Sequence, residues 1–151
     1  MRKLFLFIGF LTISVLTANA QDIAENAIGI RFGGNNGFGG EVSYQRALGD
    51  NNRLEIDLGI RNDSGFSSFK ATGLYQWVWE LENQFNWYAG AGGGLVSASG
   101  NSAIFGAGVV GIEYNFDIPL VISLDYRPEI GFSGFYDGFQ SDFGLGLRYQ
   151  F

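Results

Sequence analysis

The acidic and basic side chains are the residues of this chain that could do chemistry, because the sequence contains no histidine and no cysteine. Ser–His–Asp triads, Cys–His pairs and ordinary zinc sites are therefore excluded. A paired-carboxylate mechanism with Glu55, Asp57, Asp125 or Glu129 is formally open. These carboxylates recur at even spacings, which places them on one face of a β-strand. We interpret them as structural ion-pair partners, and we expect a protein that is not an enzyme and has no catalytic residues.

Two other features resemble ligand-binding motifs. The run at 90–94, Gly-Ala-Gly-Gly-Gly, is similar to a phosphate-binding loop, but neither the Lys-Ser/Thr pair nor a helical pattern follows it. Residues 62–65 and the pair Asp137-Gly138 offer oxygen ligands without the spacing of a calcium loop, and turn chemistry explains both. We therefore predict no cofactor and no metal site.

Alternation of apolar and polar residues with a period of two is the dominant pattern of the chain. The clearest example is 53–61, where Leu54, Ile56, Leu58 and Ile60 alternate with charged residues and glycine. Eight such segments lie at about 27–34, 38–48, 53–61, 68–81, 85–97, 103–116, 120–131 and 140–151. The fifth is rich in glycine, and its phase stays open. The pattern predicts an all-β fold, an eight-stranded antiparallel up-and-down β-barrel.

Residues 1–20 have the organisation of a secretory signal peptide. Arg2 and Lys3 precede an apolar stretch at 4–16, and Ala18 and Ala20 are the small residues that a signal peptidase reads. The apolar stretch is shorter than the roughly 20 residues that a spanning helix needs. We expect cleavage after Ala20, which leaves residues 21–151 as one barrel domain. That domain has a net charge of 7 − 15 = −8, so we do not expect it to bind nucleic acid.

Three observations favour a barrel that faces lipid over a soluble barrel with an apolar interior. The cleaner segments run for about nine to twelve residues, which suits a strand that crosses a bilayer. Charged residues make up only 16% of the chain, below the roughly 25% of a soluble domain. Aromatic residues gather near the predicted strand ends, as in the two interfacial girdles of membrane barrels. One rim would hold Trp77, Trp79, Trp87, Tyr88, Tyr114, Phe116, Tyr149 and Phe151, and the other Phe38, Phe66, Phe69, Phe132, Phe135, Tyr136 and Phe139.

The polar faces of the strands would then point into the barrel. An eight-stranded barrel is just wide enough inside for side chains to fill it, and charges of both signs can pair there. Glycines on the same face would make room for long arginines. The predicted interior charge network consists of Arg31, Glu41, Glu55, Asp57, Arg61, Lys70, Glu113, Asp125, Arg127, Glu129, Asp142 and Arg148.

The connections predict which end of the barrel faces which side of the membrane. Compact turns are expected at 49–52, 82–84 and 117–119, and somewhat longer loops at 35–37, 62–67, 97–102 and 132–139. Short turns face the periplasm and longer loops face outward in outer-membrane barrels. Both chain ends would then lie on the periplasmic side.

The last segment carries the most specific resemblance to a known family. Phe143, Leu145, Leu147, Tyr149 and the terminal Phe151 alternate with polar residues or glycine. The chain resembles the small eight-stranded outer-membrane barrels of the OmpX and OmpA-transmembrane type, over its whole mature length. The resemblance implies that these five residues form the C-terminal signal read by the barrel assembly machinery, and that outer-membrane lipid surrounds the barrel. The chain departs from the adhesin-like members of this class in its short loops.

Three functions remain open at this stage. The first is a structural or surface-interaction role in the bacterial outer membrane, with an interior filled by side chains and an extracellular partner that the sequence does not identify. The second is a narrow pore for small solutes or ions, opened by inner-wall glycines such as Gly111, Gly144 and Gly146. The third is a soluble periplasmic ligand-binding barrel with its apolar faces turned inward.

Overall fold

The computed structural model describes residues 23–33, 39–63, 65–132 and 134–151. The expected signal peptide at 1–20, the loop at 35–37, Phe38 and Ser64 lie outside the described residues. Among those that are described, no helix has the length and apolar character needed to cross a membrane.

Eight antiparallel strands form a closed barrel in which each strand pairs with its neighbours in sequence. The strands are β1 (Asn26–Gly33), β2 (Glu41–Ala47), β3 (Asn52–Asp63), β4 (Phe66–Glu82), β5 (Phe85–Ala98), β6 (Asn101–Asn115), β7 (Leu120–Gly131) and β8 (Gly138–Gln150). A short 3₁₀ helix, Gly134–Tyr136, lies between β7 and β8. β1 closes the barrel by pairing with β8 from Ala27↔Gln150 to Gly33↔Gly144. The predicted fold class is confirmed.

The barrel has two distinct ends. At the terminal end lie the start of β1, the end of β8 and the connections at 48–51, 83–84 and 116–119. Here the backbone N–H of Asn26 donates to the carbonyl of Phe151 at 3.0 Å, and that of Phe151 donates back at 2.9 Å. At the loop end lie the last residues of β1, β3, β5 and β7, the first residues of β2, β4, β6 and β8, and the turn at 99–100.

Two of the predicted longer loops are wrong. β3 and β4 stay paired up to Asp63↔Phe66, and β5 and β6 up to Ala98↔Asn101. Ser99 and Gly100 have φ angles of 51° and 80°, the positive values that a type I′ hairpin turn requires. Such a turn matches the twist of the flanking strands, so the hydrogen-bond ladder continues almost to the tip.

The outer surface of the barrel is apolar. Ile30 is 42% exposed, Ile56 40% and Ile60 69%, although all three are large aliphatic residues. A contiguous exposed apolar surface is rare on monomeric soluble proteins. The soluble barrel with inward apolar faces is therefore contradicted by the observed orientation of the strands.

The structure shows which side chains of β5 point into the barrel, a question that the glycines of this segment left open in the sequence. Asn86, Tyr88 and Val96 are buried inside the barrel, whereas Phe85 and Leu95 are exposed outside. Gly92 follows the inward phase, and a Cβ atom there would lie 1.9 Å from the carbonyl oxygen of Gly73 on β4. Glycine therefore allows the two backbones to approach closely at this point.

The barrel interior has two unlike walls. The apolar wall lies on β4, β5 and β6 and consists of Leu74, Val78, Tyr88, Val96, Ala103, Phe105, Ala107 and Val109, joined by Tyr136 from the 3₁₀ helix. The charged wall lies mainly on β1, β2, β3, β7 and β8, which together contribute buried arginines and buried carboxylates. The buried apolar residues on β4–β6 belong to the barrel filling and not to a separate core.

Candidate functional site

Arg31 is the hub of the charged wall. Its guanidinium contacts three carboxylates, Asp125 at 2.6 Å, Asp142 at 2.8 Å and Glu41 at 3.1 Å, and its side chain is fully buried. The three partners come from β7, β8 and β2, so a single side chain joins strands across the barrel. A buried charge needs this many partners because it has lost its hydration.

Arg127 and Arg148 form a second cluster around Glu55. The Arg127 Nη2 atom lies 2.9 Å from Glu55 and 2.7 Å from Asp57. Arg148 Nη2 lies 3.1 Å from Glu55, and its other guanidinium nitrogens donate to the hydroxyls of Ser43 and Ser123, both at 2.9 Å. The middle of the barrel is thus crossed by interlocked side chains.

Among the described residues, one further buried ion pair lies toward each end of the barrel. Toward the terminal end, Arg53 pairs with Glu113 at 2.8 Å and donates to Gln76 at 2.7 Å. At the loop end, Lys70 Nζ lies 2.7 Å from Glu129, and the Tyr136 hydroxyl donates to the same carboxylate. Burial, together with this hydrogen bond, raises the pKa of Tyr136. The side chains therefore fill most of the length of the barrel.

Eleven of the twelve side chains predicted for the interior are buried in the structure: Arg31, Glu41, Glu55, Asp57, Lys70, Glu113, Asp125, Arg127, Glu129, Asp142 and Arg148. Arg61 differs, because its side chain is exposed. It pairs with Ser68 only two positions from the Asp63↔Phe66 pair that ends the β3–β4 ladder. This hairpin therefore projects beyond the filled part of the barrel.

The inner-wall glycines adjoin space that side chains occupy. A Cβ atom at Gly144 would lie 2.3 Å from the Arg31 guanidinium carbon, and one at Gly111 would lie 2.5 Å from the ring of Tyr88. At Gly146 the Ser123 hydroxyl and Arg148 Nη1 would be 2.4 and 2.6 Å away. These glycines make room for large side chains, so they do not provide the open water path that a pore would need.

Three interior residues were missed or misplaced by the sequence analysis. Arg53 was not included in the interior network, although it lies on the polar face of the same alternating segment as Glu55. Tyr88 and Tyr136 were predicted for the interfacial girdles, but they are only 1% and 5% exposed. Their placement at the rims is wrong because both rings turn into the barrel, Tyr88 beside Arg53 and Tyr136 beside Phe105, at centroid distances of 4.8 and 5.5 Å.

The remaining described girdle aromatics are half-buried or exposed. On the loop-end rim, Phe69 is 39% exposed, and Phe132, Phe135 and Phe139 are 50–66% exposed. The five C-terminal alternating residues, Phe143, Leu145, Leu147, Tyr149 and Phe151, are all outside the barrel, with exposures of 41–62%. A continuous apolar surface therefore follows β8 to the chain end.

A cavity of about 240 Å³ lies inside the terminal end. The polar side chains that line it come from β2, β3, β5, β6 and β8 and comprise Gln45, Arg53, Asn86, Glu113, Asn115 and Gln150. Ile23, Ala24 and Ala27 form an apolar side. The filling of the barrel is thus incomplete at this end.

Comparison with known proteins identifies similar structures but no similar sequence. No family model matches the chain, and no curated protein matches it. The crystal structure of the N-terminal β-barrel domain of Pseudomonas aeruginosa OprF matches with a TM-score of 0.67 at 16% identity, covering 85% of this chain and 100% of that one. A de novo designed transmembrane β-barrel matches with a TM-score of 0.61 at 16% identity, covering 88% and 100%.

Ail, the attachment invasion locus protein of Yersinia pestis, is a third similar structure. Its crystal structure matches with a TM-score of 0.52 at 17% identity, covering 83% of this chain and 96% of that one. At these identities the likeness concerns the fold alone. The chain has the fold of the small eight-stranded outer-membrane β-barrels, in agreement with the resemblance of its sequence to that class.

Proposed function

We propose that this chain is exported, is inserted into the bacterial outer membrane with the help of the barrel assembly machinery, and has a structural or surface-interaction role there. The observation that carries the proposal is the inverted polarity of the barrel. Its outer surface is apolar and exposed, whereas twelve charged side chains are buried inside it. Lipid removes the cost of the exposed apolar surface, and closure of the barrel satisfies the backbone hydrogen bonds.

The filled interior supports a role that does not depend on transport or catalysis. Arg31, Arg127 and Arg148 are at most 1% exposed and cross the middle of the barrel. The carboxylates Glu55 and Asp57, which could have formed a catalytic pair, are engaged by Arg127 and Arg148. We propose that these ion pairs hold the strands together and that the protein is not an enzyme.

Planar-bilayer conductance of the refolded chain tests the filled interior. We expect no discrete conductance steps, with insertion verified separately by flotation of the protein with phospholipid vesicles. Reproducible steps from inserted protein would contradict the filled interior and would favour the narrow pore.

The substitution Ile56→Arg tests whether lipid surrounds the barrel. Ile56 lies on the outer surface of β3, and arginine near the bilayer midplane lowers the free energy of unfolding by about 2–4 kcal/mol. Urea unfolding in phospholipid vesicles measures the change. Arg61→Lys is the control, because it alters a basic side chain at an exposed position of the same strand. An unchanged free energy of unfolding for Ile56→Arg would contradict membrane burial of this face.

A further inference from the structure

The charges buried inside the barrel do not balance. Among the described residues, the buried cations are Arg31, Arg53, Lys70, Arg127 and Arg148, and the buried carboxylates are Glu41, Glu55, Asp57, Glu113, Asp125, Glu129 and Asp142. With every group ionised, these side chains have a net charge of 5 − 7 = −2. A buried carboxylate without a counter-charge costs so much free energy that it becomes neutral by taking up a proton.

The excess negative charge lies in the middle of the barrel. Toward the two ends, Lys70 with Glu129 and Arg53 with Glu113 form balanced pairs. The remaining three arginines contact five carboxylates: Arg31 contacts Glu41, Asp125 and Asp142, Arg127 contacts Glu41, Glu55 and Asp57, and Arg148 contacts Glu55. Two of these five carboxylates therefore lack a cation of their own.

Asp57 is the least compensated of the five. Its side chain is fully buried, and its one ion-pair contact among the described residues is with Arg127 Nη2 at 2.7 Å, a nitrogen that also lies 2.9 Å from Glu55. The second carboxyl oxygen of Asp57, Oδ1, has no hydrogen-bond partner. Glu41 also has an unpartnered oxygen, but it contacts two arginines, Arg31 and Arg127.

The groups that face Asp57 from the neighbouring strands do not supply a further counter-charge. The hydroxyl of Thr72, its cross-strand neighbour on β4, has no hydrogen-bond partner, and that of Ser43, its neighbour on β2, accepts from Arg148. Every cation near Asp57 also pairs with another carboxylate, and the nearby carboxylates oppose its ionisation. The charged groups around Asp57 are Glu41 on β2, Glu55 on β3, Lys70 on β4, Arg127 on β7 and Arg148 on β8.

The surroundings of Asp57 Oδ1 suit a proton better than a larger ligand. The atom has almost no accessible surface, so a water molecule or a metal ion has no room beside it, whereas a proton needs no cavity. Among the described residues, no group of carboxylates is arranged to hold a metal ion. Protonation also lowers the cost of the unpartnered oxygen, because a neutral carboxyl loses less hydration on burial than a carboxylate does.

We propose that the carboxyl group of Asp57 takes up a proton when the barrel folds and keeps it at neutral pH. The proton removes one of the two excess negative charges and ends the repulsion between Asp57 and Glu55. Arg127 then donates a hydrogen bond to a neutral Asp57 and keeps its ion pairs with Glu41 and Glu55. This inference goes beyond the proposed envelope role, because it depends on the buried charges and not on the location of the protein.

Infrared spectroscopy of the refolded full chain tests the proposal. The spectra are recorded at neutral pH in a detergent without ester groups, so that the carbonyl stretch of a protonated carboxylic acid comes from the protein alone. We expect this band in the wild type, and Asp57→Asn should lower its intensity by one carboxyl group per chain. Absence of the band from the wild type, or an unchanged band in a folded Asp57→Asn, would overturn the proposal.

Two further variants show whether the band belongs to Asp57. Asp125→Asn is the matched control, because Asp125 is equally buried but contacts Arg31 at 2.6 Å, and it should leave the band unchanged. A loss of the band in Glu41→Gln but not in Asp57→Asn would place the proton on Glu41 and overturn the assignment. If Asp57→Asn fails to fold, Asp57→Ser replaces it in all measurements.

The pH dependence of unfolding is a second test that does not depend on the spectrum. An aspartate of the unfolded chain ionises near pH ~3.9, so above this pH the folded state should bind one proton more than the unfolded state. The unfolding equilibrium constant of the wild type should then rise by up to about tenfold per pH unit relative to that of Asp57→Asn, until the folded carboxyl ionises. Urea unfolding in phospholipid vesicles at a series of pH values measures both constants. A ratio of the two constants that does not change with pH would overturn the proposal.

Discussion

The charged wall and the apolar wall fill the same barrel by different physical means. The charged wall depends on a few directional contacts, such as those of Arg31 with carboxylates from three other strands. The apolar wall depends on the packing of residues such as Leu74 and Phe105, which is not directional. Loss of one charged partner leaves others buried and unpaired, whereas loss of one apolar residue leaves a cavity. The two walls should therefore respond differently to substitution.

The largest effect is expected for Arg31→Met. This substitution leaves Asp125, Asp142 and Glu41 without their shared cation and should lower the free energy of unfolding by about 3–5 kcal/mol. Urea unfolding in phospholipid vesicles measures the change. Arg61→Met is the matched control, since Arg61 is exposed and should change the free energy by less than about 0.5 kcal/mol. Equal effects of the two substitutions would remove the distinction between the charged wall and the rim.

A smaller effect is expected for Leu74→Ala on the apolar wall. Leu74 is fully buried, so the shortened side chain leaves a cavity inside the barrel and costs about 3 kcal/mol. Leu124→Ala is the control, because Leu124 is 51% exposed on the outer surface and lipid can fill the space. The same unfolding measurement applies. A larger loss of unfolding free energy for Leu124→Ala than for Leu74→Ala would contradict the view that β4–β6 stabilise the barrel by packing inside it.

Gly144→Ala tests the space that the charged wall requires. The new Cβ atom would lie 2.3 Å from the Arg31 guanidinium and should displace it, at a cost of about 1–3 kcal/mol. Gly106→Ala provides the comparison, because its Cβ atom would meet only the Phe132 ring, at 3.4 Å. Thermal unfolding of both variants, read by circular dichroism, separates the two cases. A greater loss of thermal stability for Gly106→Ala than for Gly144→Ala would contradict the filled interior at Gly144.

The smallest effect is expected for Tyr136→Phe, which alters the point where the two walls meet. The substitution removes the hydrogen bond to Glu129 but keeps the ring beside Phe105, and it should cost about 1 kcal/mol. Folding raises the pKa of Tyr136 above its ordinary value of 10.0. The associated stability is fully present below pH 10 and is lost as the pH rises through the folded-state pKa.

The stability difference between wild type and Tyr136→Phe should therefore shrink above about pH 10. Urea unfolding at a series of pH values measures it. A difference that grows above that pH would contradict the protonated, hydrogen-bonded tyrosine.

The strands and the orientation of most side chains could be predicted from the sequence because alternation is a local property. Leu54, Ile56 and Leu58 had to share one face with Ile60, and Glu55 and Asp57 the other, whatever the rest of the chain did. The prediction failed where local rules do not apply. The β5–β6 ladder continues to its tip because Ser99-Gly100 forms a tight turn, and Arg61 is exposed because its hairpin projects beyond the filled interior.

The sequence by itself determined the strand period, the eight segments and a polar face rich in charges of both signs, because all three follow from residue type and spacing. The tertiary structure decided which charges meet, since Arg31 and Asp142 lie 111 positions apart in the chain and only barrel closure brings them together. It also placed Tyr88 and Tyr136 inside the barrel, because the space available to a ring depends on the side chains of neighbouring strands. The cavity at the terminal end has the same origin, since it lies between residues of six strands and the segment that precedes β1.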